Sequence, residues 1–270
     1  MKKSVIISFI LFCFASCSPY NEVRIPFEVK GVPDSSRTLQ AFIYYPDDKL
    51  KHDVVIYNHG SSCGNPKEVL PSEKQAGYFV RQGYICVVPM RKGRGKSDGI
   101  SEESEIKNCN PDSWEEGIDS AMDDVSSAIA YVKRMSRYSG SKIIIAGASR
   151  GGYLSVAYAS KGKYRDDISA VVNFVGGWVA QAEDQCSLDF NSISFERFGK
   201  LTKKYSIWMY SNNDTIYASD SIREYFDKYH TGNKNSIFFM YSTVPTNGHF
   251  LPQYEEIWGA DVTKFLKGIK

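Results

Sequence analysis

Lys142-Ile143-Ile144-Ile145-Ala146-Gly147-Ala148-Ser149-Arg150-Gly151-Gly152 joins a short apolar run to a Gly-x-Ser-x-Gly turn, and a helical pattern follows to Ser160. An apolar run of this length without alternation describes a strand buried on both faces, as in a parallel sheet. A sharp turn from such a strand into a helix needs residues with little side chain on either side of the serine, because neighbouring elements crowd the backbone. It leaves the Ser149 hydroxyl exposed and sets the Arg150 N–H at a helix N-terminus, where it can meet a developing oxyanion. The same five-residue pattern is common by chance, and as a plain glycine-rich turn it carries no chemistry, so the surrounding elements decide its meaning.

Outward from that turn, the chain alternates strands with helices. Val54–Tyr57, Tyr84–Val88, Ala170–Val175, Ile207–Tyr210 and Ile237–Tyr241 are further continuous apolar runs. Between them lie helical patterns at 67–82, 151–160, 221–230 and 254–267, and a longer one in which Ile118, Met122, Val125, Ile129 and Val132 recur at intervals of four and three. The stretches 22–32 and 38–46 instead alternate apolar with polar residues and are separated by Pro33-Asp34-Ser35-Ser36, which predicts an antiparallel pair with its turn there. The expected fold is α/β: a mostly parallel twisted sheet with an N-terminal antiparallel strand pair and helices on both faces. Two polar stretches, 97–113 and about 179–204, fit neither pattern and read as insertions at the edge of a site, the second as a small cap insertion.

A serine at its ordinary pKa is a poor nucleophile and needs a base held by a third group. Of the four histidines, His52 and His230 lie in polar surface contexts, and His59, in Asn58-His59-Gly60, reads as a loop-shaping residue. His249, in the glycine-containing loop Thr246-Asn247-Gly248-His249-Phe250 after the last strand, is the candidate base. Asp214, just beyond the Ile207–Tyr210 strand, is the candidate acid, because functional groups in parallel sheets gather beyond the carboxyl ends of strands. Asp184, Asp189 and Asp220 are the alternatives, the last placed as a helix-start residue.

Taken with Tyr57-Asn58-His59-Gly60 and Lys92-Gly93-Arg94-Gly95-Lys96-Ser97-Asp98-Gly99, these motifs resemble the α/β-hydrolase superfamily, in its dienelactone hydrolase and prolyl-oligopeptidase-like branch. The resemblance spans nearly the whole mature chain. It implies a serine hydrolase with Ser149, Asp214 and His249 as catalytic residues, backbone N–H groups of Arg150 and Ser61 as oxyanion donors, no metal and no organic cofactor. It implies cleavage of an ester, or of an amide or peptide bond, through an acyl-enzyme; the partner is then a small ester or a short peptide. In two places the chain departs from the family's pattern: Ser149 stands where the name-giving enzymes carry cysteine, and Lys92 where the loop usually has an ion-pairing arginine. The competing reading is a non-catalytic binding or scaffold lipoprotein on the same fold.

The 270 residues, 42% hydrophobic and 24% charged, suit one large α/β domain and exclude disordered or collagen-like chains. The formal charge of +2 is accounted for by Lys2 and Lys3, so the rest of the chain is neutral and carries no footprint for nucleic acid. Gly95-Lys96-Ser97 lacks the first glycine of a phosphate loop, since position 90 is Met90, and Gly93-x-Gly95 lacks the third glycine of a dinucleotide fingerprint. Residues 1–16 read as a lipoprotein-type signal: a basic head, an apolar run from Val5 to Ala15 too short to span a bilayer, then Ala15-Ser16-Cys17. Cys17 is the expected lipidation site and 17–270 the mature domain, exported to a bacterial cell envelope and held to the membrane by lipid. Cys63, Cys86, Cys109 and Cys186 then remain, allowing three pairings. The expected disulfide is Cys109 with Cys186, both in polar insertions, against the alternative of four free thiols.

Overall fold

The computed structural model describes residues 20–29, 31–61, 65, 67–101, 110–179, 185–242 and 244–269. The signal segment 1–16, Cys17, Cys63 and Cys109 lie outside them. The alternating N-terminal stretches form β1 (Asn21–Val29) and β2 (Val32–Tyr44), paired antiparallel. Their turn is not at Pro33–Ser36: Glu28 pairs with Pro33 and Val29 with Val32, so the chain reverses around Gly31, whose φ of 86° suits a residue without Cβ. Pro33 and Asp34 lie within β2 beside a register shift, where Asp34 accepts from the N–H and hydroxyl of Ser36. An Asx turn thus bulges β2 against the edge strand β1 instead of ending it.

The continuous apolar runs become β3 (His52–Asn58), β4 (Ile85–Pro89), β5 (Tyr138–Ala148), β6 (Ile168–Phe174), β7 (Tyr205–Ser211) and β8 (Ser236–Tyr241). One eight-stranded sheet results, ordered β1-β2-β4-β3-β5-β6-β7-β8 and parallel from β4 to β8. Val54, Val55 and Ile56 of β3 and Ile143, Ile144 and Ile145 of β5 are wholly buried, which is why these runs show no alternation. Each such side chain contributes about 1.5–3 kcal/mol on burial.

Helices α1 (Glu73–Arg81) and α6 (Glu255–Gly268) meet on one face, where the Tyr78 hydroxyl donates to the Gly259 carbonyl at 2.8 Å and its ring packs edge-on against Trp258. α2 (Pro111–Val132) and α3 (Arg150–Lys161) meet through Ser126 and Tyr158, whose hydroxyls lie 2.9 Å apart. α4 (Gln185–Leu201) packs on α3 and on α5 (Ser219–Gly232). The stretch expected as a cap insertion, 179–204, is therefore built around α4, the crossover helix between β6 and β7. Its polar composition concealed it because several of its polar residues point inward: Asn191, Ser192 and Ser194 are buried beside Phe195 and Phe198. The pattern at 67–82 likewise shortens to α1, with Ser72 at φ 53° ahead of it.

Along the chain, β3 connects leftward to β4, and β4 connects back across β3 to β5. The loops leaving β3 and β5 therefore diverge to opposite faces of the sheet. Their carboxyl ends flank the topological switch point, the place where open α/β sheets bind ligands.

Candidate active site

Ser149 sits between β5 and α3 at φ 55° and ψ −125°, a conformation rarely adopted by an L-residue outside over-determined turns. The surroundings enforce it. A Cβ on Gly147 would lie 2.3 Å from the Gly151 carbonyl oxygen, one on Gly151 2.0 Å from that of Asn58, and one on Gly152 2.4 Å from Asn173 Oδ1. The Ser149 N–H donates to the Phe174 carbonyl at 2.9 Å, and the Tyr153 N–H returns to the Ser149 carbonyl at 3.0 Å. Val175, beyond the same end of β6, is also held at positive φ, 45°. The hydrogen bond from Ser149 to Phe174, the residue before Val175, thus ties together the two strained strand exits.

The Ser149 hydroxyl lies 3.0 Å from His249 Nε2, and His249 Nδ1 lies 3.0 Å from Asp214 Oδ2. The Asp214 side chain is fully buried and that of His249 partly so. The second Asp214 oxygen accepts the N–H groups of Ile216 and Tyr217 at 2.7 and 3.2 Å, which orients the carboxylate. Asn247 ties the two loops: its Oδ1 accepts from the His249 and Thr215 N–H groups, and its amide donates to Thr215 Oγ1. A Cβ on Gly248 would meet the Asp214 N at 2.3 Å, so a glycine allows the histidine loop to press onto the aspartate loop.

The residues singled out in the sequence therefore converge from β5, β7 and the loop after β8. The alternative acids do not: Asp220 lies in the first turn of α5, Asp189 is exposed on α4, and Asp184 lies outside the described residues. His52 bridges Asp48 and the Gly83 carbonyl, and His230 contacts Ser236 and stacks on Phe226. Arg150 opens α3, its side chain donating to the Trp178 carbonyl at 2.8 Å, and Ser61 follows His59-Gly60 at the exit of β3.

His59 shapes its loop as read. Its Nε2 accepts the Arg91 N–H at 3.2 Å, which leaves the ring proton on Nδ1 to donate to the Gly60 carbonyl at 2.7 Å. Two contributors were not seen in the sequence. The buried Arg91 guanidinium donates to the His59 carbonyl at 2.7 Å and reaches that of Gly60 at 3.4 Å. Buried Asp124 on α2 accepts the Lys92 N–H at 2.8 Å, with Lys92 Nζ 3.5 Å from its other oxygen. Lys92 does make an ion pair, therefore, while its neighbour Arg91 grips the loop. Their signal was two adjacent cations directly after an apolar strand, and Asp124 inside an apolar helical stripe. Desolvation pushes the Asp124 carboxyl up to about 6, against the opposing pull of Lys92.

Cys186 is disulfide-bonded, while its expected partner Cys109 lies outside the described residues. Cys86 is a free, buried thiol whose ionisation is pushed up by desolvation.

The sheet order, the strained serine between β5 and α3, and the acid and histidine on later loops define an α/β-hydrolase fold. The dienelactone hydrolase family model matches residues 39–244, and the chain belongs to that family of hydrolases. Among solved structures, it is similar to an esterase of Pyrococcus furiosus, with 15% identity and a TM-score of 0.65 over 93% of this chain and 91% of that one. It is similar too to Est1E of Butyrivibrio proteoclasticus, solved with ferulic acid bound, with 16% identity and a TM-score of 0.65 over 92% and 98%. An acylaminoacyl peptidase of Pyrococcus horikoshii aligns with 93% of this chain but 40% of its own, with 13% identity and a TM-score of 0.60. At such identities the likeness is one of fold. No curated protein matches the chain in sequence.

Proposed function

We propose that this protein is a serine hydrolase that cleaves a small carboxylic ester through an acyl-enzyme. The observation that carries the reading is the continuous chain of hydrogen bonds from Asp214 through His249 to Ser149, each about 3.0 Å, ending on a hydroxyl at the sheet's switch point. His249 Nε2 takes the hydroxyl proton as Ser149 Oγ attacks the ester carbonyl. Asp214 holds the imidazole in the tautomer that accepts at Nε2 and stabilises the imidazolium. The negative charge on the carbonyl oxygen is met by the N–H groups of Arg150 and Ser61, at a helix N-terminus and a loop gripped by Arg91. The proton passes from His249 to the leaving alcohol, and water attacks the acyl-enzyme by the same steps in reverse. A peptide bond would use the same groups, and the Pyrococcus horikoshii peptidase shows that the fold accommodates one. The ester reading is favoured by the family and by the Pyrococcus furiosus esterase on this fold. Export as a lipid-anchored envelope protein belongs to the same proposal and rests on residues 1–17 alone.

Reaction with a fluorophosphonate probe, followed by turnover of p-nitrophenyl esters, tests it. Stoichiometric labelling of Ser149 with ester turnover is expected. A folded Ser149→Ala protein that turns esters over at the wild-type rate would falsify the assignment, and a wild type that neither takes the label nor turns esters over would leave the scaffold reading in its place.

A further inference from the structure

Beside the triad a cleft of about 410 Å³ opens between three walls: the loop after β3, the segment leading into α1, and the turn after His249. Tyr57, Leu70, Pro71, Ala148, Phe250 and Pro252 give it a mainly apolar lining. The volume falls at the lower end of the range for small-molecule sites. Each wall is anchored independently of any ligand. The Pro71 carbonyl accepts from the Tyr44 hydroxyl at 2.9 Å, and Ser72 adopts φ 53°, turning the chain so that Leu70 and Pro71 form the wall before α1 begins. Buried Gln75 on α1 donates to the Pro252 carbonyl at 2.8 Å, which fixes the distance between the helix wall and the histidine wall. The cleft is preformed, and an apolar guest need not order it.

Resting on the serine-hydrolase reading, we infer that this cleft receives the alcohol half of the ester, and that it selects an uncharged aromatic or compact branched group. His249 itself lines the cleft, and His249 Nε2 returns the serine proton to the leaving oxygen, so the leaving group departs along this wall. Charge selects as well as shape. Glu73 and Lys74 stand side by side at the rim, both exposed, and their opposite charges offset one another for an entering ion. Phe250, 54% exposed at the mouth, is an aromatic face with little else to cover it. A flat ring slid between Phe250 and Leu70 removes apolar surface from water on both sides.

The test uses two ester series. In one the acyl group is always acetyl and the alcohol is ethanol, benzyl alcohol or 2-naphthylmethanol. In the other the alcohol is always ethanol and the acid is acetic, phenylacetic or 2-naphthylacetic. For the wild type we expect kcat/KM to rise about tenfold or more from ethyl to benzyl acetate, the scale of discrimination an apolar pocket provides. Leu70→Trp, which fills the cleft, should bring that ratio to near one, and Phe250→Ala should lower it while raising naphthylmethyl relative to benzyl acetate. Neither substitution should change the discrimination within the ethyl series. Should Leu70→Trp fail to fold, Phe250→Ala decides alone, since that side chain is exposed. Ratios unmoved by the substitutions, or movement confined to the acyl series, would overturn the assignment. A wild type that hydrolyses no ester in either series and leaves Ser149 unlabelled would overturn the hydrolase reading itself, a result distinguishable from failure of the cleft assignment.

Discussion

The guanidinium of Arg91 donates to the carbonyl oxygen of His59 at 2.7 Å, so the loop bearing Ser61 is held from below by the residue two positions past β4. Backbone carbonyls in that loop take their donor from a charged, buried side chain, which fixes the loop immediately before Ser61, the proposed oxyanion donor. Replacing Arg91 with alanine leaves the His59 carbonyl without this donor, at a cost of about 1–3 kcal/mol. We expect Arg91→Ala to lower kcat by about 10- to 100-fold with a smaller change in KM, because an oxyanion donor acts mainly in the transition state. Arg91→Lys should recover part of kcat. If both variants keep wild-type kcat, the loop holds its shape unaided and the positioning role fails.

Asp124 gives the stability a pH dependence of unusual sign. Its folded-state value of about 6 lies above the ordinary 3.8, so between these pH values the folded chain binds more protons than the unfolded one. Stability from this group therefore falls as pH rises from about 4 to 6, and the cost of the buried charge is fully present above that window. The upper bound on its size is about 3 kcal/mol, at 1.36 kcal/mol per unit. Comparing urea unfolding of wild type and Asp124→Asn across this range should show the wild type gaining relative stability as pH falls. A difference that stays constant with pH would mean that Lys92 neutralises the buried carboxylate completely.

Strain at Ser149 predicts an inversion of the usual glycine penalty. At φ 55° and ψ −125° an alanine carries the same steric conflict as serine, whereas glycine does not. Ser149→Gly should unfold at a higher denaturant concentration than Ser149→Ala, by about 1 kcal/mol after glycine's extra unfolded-state entropy. Both should be inactive. His249→Ala should lose as much activity as Ser149→Ala, on the order of 10⁶-fold, and Asp214→Asn less, on the order of 10⁴-fold, since the acid orients the base without transferring the proton. An inactive Asp220→Asn beside a fully active Asp214→Asn would show the acid misassigned.

Most of this architecture is written in hydropathy. Strands such as β3 and β5, buried on both faces, announce themselves as unbroken apolar runs, and the Gly-Ala-Ser-Arg-Gly-Gly turn marks the strand-to-helix corner where Ser149 stands. Asp214 and His249 were legible because strand ends and a glycine loop locate them in the chain. What stayed hidden depends on long-range partners. Asn191, Ser192 and Ser194 look like loop residues until α4 buries them, and Pro33-Asp34-Ser35-Ser36 looks like a hairpin turn although Gly31 makes it. The roles of Arg91 and Asp124 also depend on contacts across dozens of positions, which local patterns do not encode.

The disulfide of Cys186 should have Cys109 as its partner. Cys86 is a free thiol within β4, and Cys186 lies at the start of α4, whose Phe190 packs edge-on against Trp114 near the start of α2. The two cysteines are 77 positions apart, and closing so long a loop restricts the unfolded chain by roughly 4 to 5 kcal/mol in the chain-entropy treatment. Peptide mapping of exported, unreduced protein should recover the 109 and 186 peptides joined. Recovery of Cys186 joined to Cys63 instead would place the link on the loop after β3 and end this pairing.

The N-terminus predicts a protein held to its membrane by lipid alone. An apolar run of about eleven residues is far below the roughly 20 that span a bilayer, and Ala15-Ser16 supplies the small residues that precede a processed cysteine. Past the signal the net charge is balanced, so bulk electrostatic attraction adds nothing, and in this proposal retention falls to the acyl chains on Cys17, at about 0.8 kcal/mol per buried methylene. Only residues 18–20 separate Cys17 from β1, a reach of about 10 Å when extended. The edge strand β1 would then ride near the headgroups, and a longer tether should not be needed for activity. Metabolic labelling with an alkyne fatty acid should mark the wild type and leave Cys17→Ser unlabelled and released from membranes, with unchanged ester turnover per molecule. Label retained on the mutant, or a soluble unlabelled wild type, would defeat the lipid anchor while leaving the hydrolase site untouched.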